Sequence, residues 1–94
     1  MANVLVHLQV QDYAKWRPVF DEFSALRKLN GSQGAHLYRL PNNSTEVVIL
    51  FGWNSLENAR RFFDLPEVRQ GMQRAGVEGR PEILYLDGQE NIAA

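Results

Sequence analysis

The sequence predicts a single α+β domain ordered strand, helix, strand, strand, helix, strand, with its strands in one four-stranded antiparallel sheet. Three observations carry that prediction. Apolar and polar residues alternate over residues 3–10, and apolar residues then recur every three or four positions from Trp16 to Leu29, so the hydrophobic period changes from that of a strand to that of a helix. After Gly34 come two β-rich runs, 35–40 and 45–53, and the helical spacing returns from 56 to 75. Finally, 94 residues with 45% hydrophobic and 22% charged side chains suffice for one core and are too few for two.

The first strand turns Val4, Val6, Leu8 and Val10 to one face and Asn3, Leu5, His7 and Gln9 to the other. The helix that follows places Trp16, Val19, Phe20, Phe23, Leu26 and Leu29 on its apolar side and stops at Asn30-Gly31. Pro18 lacks an N–H and crowds the preceding turn, so the regular helix is expected to start near it, after a looser entry over Asp12 to Arg17. Ala35 to Leu40 and Thr45 to Trp53 read as a hairpin joined by the turn-prone Pro41-Asn42-Asn43-Ser44. Ser55 is placed to cap a short helix that buries Leu56, Ala59, Phe62 and Phe63. Asp64-Leu65-Pro66-Glu67 has the cap-and-Glu spacing of a second helical piece, with Leu65, Val68, Met72 and Ala75 on one face and Gly76 at its end. Gly79-Arg80-Pro81 then turns the chain into a last strand from Ile83 to Asp87. This βαββαβ order is the ferredoxin-like split βαβ pattern, with the helices on one face of the sheet.

Val47 to Phe51 are apolar without alternation, which predicts a strand covered on both faces. Helices cover one of them. In so short a chain only a partner can cover the other, and the simplest closed arrangement is a twofold homodimer with the sheets face to face. Ten Lys and Arg against eleven Asp and Glu, without a run of like charge, argue against a nucleic-acid partner. No cysteine is present, so thiol chemistry, disulfides and iron–sulfur ligation are excluded. The longest apolar run, Val47 to Gly52, is far short of a membrane span, and the expected location is cytoplasmic.

Chemistry-bearing residues are few. His7, His36 and Tyr38 are the candidates for a proton relay, because His and Tyr suit general acid and base work; parity leaves open whether their face meets helices or partner. Two histidines without a His-x-x-x-His or Glu-x-x-His spacing predict no metal, and Gly31-Ser32-Gln33-Gly34 follows a helix, where a phosphate loop would follow a strand. Trp16, Phe20 and Phe23 are able to wall a pocket for a flat hydrophobic ligand, although core packing is their ordinary role. Arg39, Arg61, Arg69 and Arg80 are available to an anion, yet arginines of a near-neutral chain are mostly solvated or paired.

Asp12-Tyr13-Ala14-Lys15-Trp16, Trp53 followed by Ser55-Leu56-Glu57-Asn58-Ala59, and Met72-Gln73-Arg74-Ala75-Gly76-Val77 with Arg80-Pro81 resemble antibiotic biosynthesis monooxygenase-like proteins of the dimeric α+β barrel superfamily. The resemblance implies a homodimer and a cofactor-free monooxygenase acting on a small aromatic or polyketide-like compound. The cofactor-free oxygenases of that family use an Asn on the third strand, a Trp ending it and an Arg on the next helix. Trp53 matches the Trp and Arg69 the Arg across a short gap, but the Asn position holds Ile49, which has no hydrogen-bonding group. On this reading His7 or Tyr38 assists proton removal, Arg69 steadies oxyanion charge, and Trp53, Trp16, Phe20 and His36 contact substrate. Heme-degrading relatives carry a His and a Trp where this chain has Met72 and Phe62, so no heme is expected. Two alternatives stay open: a non-catalytic dimer that holds a small ligand, which Ile49 favours, and a lactone or ketone isomerase working by proton transfer alone.

Overall fold

The computed structural model describes residues 2–94. In chain order the elements are β1 (Ala2–Val10), α1 (Tyr13–Glu22), α2 (Ser24–Leu29), β2 (Ser32–Leu40), β3 (Asn43–Trp53), α3 (Leu56–Phe63), α4 (Pro66–Arg74) and β4 (Val77–Leu86). The strands form one antiparallel sheet in the order β2-β3-β1-β4, the ferredoxin-like topology expected from the alternation of periods. Among the described residues no helix is long and apolar enough to cross a membrane.

Register explains why both faces of the central strands are apolar. Val4 lies between Phe51 and Tyr85, and Val6 between Ile49 and Ile83, on the side that packs against the helices. One residue along, Leu5 lies between Leu50 and Leu84, and His7 between Val48 and Glu82, on the side that no helix of this chain covers. The helix side is dry: Val4, Val6, Val10, Val47, Ile49 and Trp53 are buried almost completely. Each such side chain contributes about 1.5–3 kcal/mol on leaving water, so this one layer accounts for most of the cohesion of the domain.

Three local expectations need correction. The first helix begins at Tyr13, well before Pro18: Asp12 is its N-cap, accepting the Ala14 N–H at 3.0 Å, and Pro18 lies inside α1. A proline there leaves the Ala14 carbonyl without its helical donor, which is tolerable because Ala14 is exposed and water can replace it. The helix also divides at Phe23 into α1 and α2.

The cap-and-Glu reading of Asp64 to Glu67 is the second. Asp64 is the C-cap of α3, α4 starts with Pro66 at its first turn, and no side chain caps it. Third, Gly79-Arg80-Pro81 is not a turn before the last strand but a bulge within it. Opposite the two steps from His7 to Gln9, β4 advances from Glu82 back to Glu78, and Gly79 takes a φ of +67° to accommodate the extra residues. The Ser55 cap stands as expected, with the Asn58 N–H donating to Ser55 Oγ at 3.1 Å. The helix stop at Asn30-Gly31 also stands, with Gly31 at φ +104°.

Candidate functional site

Between the sheet and the helices α1, α2 and α4 lies a cavity of about 60 Å³ with an almost wholly apolar wall. Val6, Ile49 and Phe51 form its floor, and Trp16, Phe20, Phe23 and Met72 are among the side chains that roof it. The rings are mutually locked: Trp16 stacks on Phe20 with centroids 4.8 Å apart, and Phe51 meets Phe63 edge-on at 5.9 Å. This space is less than half the roughly 150 Å³ in which a dry cavity holds benzene, so a ligand ring enters only if Phe20 or Phe23 swings aside. Phe23 sits at the joint of α1 and α2 and is packed so closely on Gly71 of α4 that a Cβ there would fall on its ring.

The residues singled out from sequence divide between this cavity and the opposite side of the sheet. Trp16 and Phe20 line the cavity. Trp53 is fully buried beside it, packed on Phe62 and Phe63, with its indole N–H donated to the Asn30 carbonyl at 2.8 Å. Its place is therefore in the wall behind the lining rings, where it fixes the end of α2 to the end of β3 and leaves no edge free for a ligand.

His7, His36 and Tyr38 point away from the helices, into the open sheet face. They are also not on adjacent strands, as a relay would need: β3 runs between β1 and β2, so His7 and Tyr38 both flank Val48 and lie two strand spacings apart, about 10 Å. His7 Nε2 instead lies 3.0 Å from Glu46 Oε1, and Gln9 donates to Thr45 Oγ1 at 2.8 Å. Arg69 reaches from α4 across an outer groove that shares Phe63 and Met72 with the cavity wall. Its guanidinium is exposed and lies 3.3 Å from Asp64. Arg61 pairs with Glu57, while Arg39 lies over the Tyr13 ring at 4.2 Å and Arg80 borders the same groove as Arg69. Among the described residues no three His, Asp or Glu side chains come together as a cation site needs.

The residue that sequence reasoning missed is Arg27. It is the one charged side chain in the cavity wall, and it also borders an outer groove of about 540 Å³ between α1, α2 and β2. Its guanidinium lies over the Phe20 ring, 3.9 Å from the centroid, and donates to the Phe20 carbonyl at 2.7 Å. Arg17, Arg61, Arg69 and Arg74 each have a carboxylate within 4 Å; among the described residues Arg27 has none. Burial draws its pKa below the ordinary arginine value, partly opposed by Asp21, yet a guanidinium remains charged at neutral pH. The signal was in the spacing. Trp16, Phe20, Phe23 and Arg27 fall at i, i+4, i+7 and i+11, so a charge stands on the apolar stripe.

No protein-family model and no curated protein matches the chain. Solved structures do. SnoaB, a cofactor-independent oxygenase from Streptomyces nogalater, superposes with a TM-score of 0.77 at 15% identity over 99% of this chain and 97% of that one. A candidate antibiotic biosynthesis monooxygenase from Bordetella bronchiseptica gives 0.78 at 13% identity, covering 95% of this chain and 97% of that one. Another, from Caulobacter crescentus, gives 0.74 at 23% identity, covering 95% and 90%. The domain thus has the ferredoxin-like α+β fold of the antibiotic biosynthesis monooxygenase structures, along essentially its whole length.

Proposed function

We propose that this chain is a cofactor-independent oxygenase-type protein that admits a small aromatic compound to the cavity between the sheet and α1, α2 and α4. The observation that carries the reading is the aromatic wall of that cavity, set in the fold of SnoaB. Such chemistry draws its electrons from the substrate. In an anthrone-like compound the methylene loses a proton, and the carbanion, delocalised into the rings, gives an electron to dioxygen. The two radicals join as a peroxide, and loss of water from it leaves a ketone, so that one O₂ yields one ketone and one water. The protein would supply a dry, shaped surround that excludes water from the carbanion. No base lines the cavity, so the released proton would pass to water at the mouth, and the substrate must already have an acidic C–H. Arg69 would steady oxyanion charge only after leaving Asp64 and crossing Met72.

Oxygen uptake with anthrone tests the reading. One O₂ consumed per ketone formed is expected, with strong loss in Val68→Phe, which fills the cavity from α4. Uptake unchanged in Val68→Phe would place the reaction elsewhere, and turnover without oxygen would favour an isomerase. A second reading is binding without catalysis. It is favoured by Ile49, which offers no donor on the cavity floor, and by the position of His7, His36 and Tyr38 on the far face.

The same proposal includes a twofold homodimer formed through the open sheet face. Leu5, Val48 and Leu50 occupy its centre and Leu84 and Leu86 its flank, the last two 46% and 39% exposed in the isolated chain. An apolar row of this kind at the middle of a sheet is suited to a self-complementary partner. His7, His36 and Tyr38 would then serve as polar contacts at the interface.

A further inference from the structure

We propose that Arg27 makes the cavity a site for an aromatic carboxylate, whose ring enters past Phe20 while its anionic head stays in the groove between α1, α2 and β2. The inference rests on the cavity being the ligand site, as argued above, and adds the charge of what it takes.

Cavity and groove meet at two residues, Phe20 and Arg27. The cavity offers a ligand nothing but apolar contact and one guanidinium. The groove has Arg17, Lys28, Ser24 and Ser32 along its walls, and its one carboxylate, Asp21, is engaged by Arg17 at 3.0 Å. Arg27 has five N–H donors, and the Phe20 carbonyl takes one of them. The ring beneath and the carbonyl beside it hold the guanidinium plane in place, leaving an edge free for the two parallel N–H···O bonds that a carboxylate accepts. A half-buried cation without a counterion is unfavourable in the empty protein. An anionic ligand relieves that, whereas a neutral isostere does not. The ring of the same ligand meets Phe20, Phe23 and Trp16, so apolar body and anionic head are recognised by adjoining parts of one opening.

The test is titration of the full chain with 2-naphthoate and, separately, with its neutral isostere 2-naphthamide, read by tryptophan fluorescence or calorimetry. The expected result is that the carboxylate binds at least about tenfold more tightly than the amide in the unmodified protein, as a desolvated bidentate pair warrants. Arg27→Gln should bring the two affinities together without changing that of the amide, and Arg27→Lys should keep part of the preference. Arg61→Gln, outside both cavity and groove, should change the ratio little. Should Arg27→Gln not fold, the Arg27→Lys ratio and the loss of preference in high salt carry the same test. Equal affinities in the unmodified protein, or a preference that survives Arg27→Gln, would overturn the assignment of the carboxylate to Arg27 while leaving the cavity reading intact. If neither compound binds, both fall together. Amide binding that disappears in Val68→Phe confirms the cavity independently of its charge preference.

Discussion

The two faces of the sheet are built from the same four strands and obey different rules. On the helix side, Val4, Val6, Ile49, Phe51 and Trp53 interlock with Trp16, Phe62 and Phe63, and the indole N–H of Trp53 has its own carbonyl. On the open side, leucines and Val48 share the surface with His7, Glu46, Gln9 and Thr45, which satisfy one another in pairs. Close packing makes the first face intolerant of lost volume, because a void there cannot collapse. The second face holds its polar groups without help from the core, so it can be changed with little penalty to the monomer. Stability therefore resides on one side of the sheet, and the homodimer proposed above would use the other.

The largest effect expected from this contrast is that of Trp53→Ala. It removes a buried aromatic and orphans the Asn30 carbonyl, and should destabilise the domain by about 3–5 kcal/mol in chemical denaturation. A loss below one kcal/mol would mean that the helix face is not the rigid one.

Next comes Leu50→Glu on the opposite face, its chain neighbours Ile49 and Phe51 both buried on the helix side. The chain should still fold, yet its mass by light scattering should fall from dimer to monomer. An unmodified protein that is already monomeric at micromolar concentration would reduce the open face to ordinary surface and remove the homodimer.

Gly71→Ala sharpens the comparison within the helix layer itself. Helix propensity improves by about 1 kcal/mol, while the new methyl group displaces the Phe23 ring, so stability should change little and naphthamide affinity should shift. An unchanged affinity would show that Phe23 does not guard the cavity. The smallest effect belongs to Glu46→Gln, which breaks a half-exposed pair with His7 and should alter stability by under about 1 kcal/mol. A larger change at that position would reveal that the open face contributes to the fold.

Topology was legible because it depends on hydrophobic pattern, which β1 displays as strict alternation, the helices as a three-to-four residue spacing and β3 as an unbroken apolar run. What escaped depended on contacts between distant segments. Pro18 was read as a helix start by local sterics, but Asp12 supplies a cap and burial of Trp16 draws the chain into helix before the proline. Asp64 has the right spacing to cap α4, and instead the chain uses it to finish α3 and to meet Arg69. Gly79-Arg80-Pro81 has the composition of a turn, and pairing with β1 on both sides of it makes it a bulge. For the candidate site, Trp16 and Phe20 were identifiable from spacing alone. The facing of His7, His36 and Tyr38 was not, since alternation tells which residues share a face but not which face meets the helices. Arg27 was overlooked because it looks like an ordinary basic residue in the last turn of a helix, and its stacking on Phe20 is visible only once the turn between α1 and α2 is known.

The strand order has a consequence for how the chain is made. β1 is synthesised first, yet it lies at the interior of the sheet, and its neighbours β3 and β4 begin at Asn43 and Val77. The valine row of β1 must therefore wait, unpaired, while the ribosome adds the β2–β3 hairpin, and its second edge stays open until β4 emerges at the end. At about 5–20 residues per second that wait lasts several seconds. During it, the most apolar strand of the molecule is available to any other extended chain nearby, so crowded synthesis should endanger this protein more than heating the finished domain does.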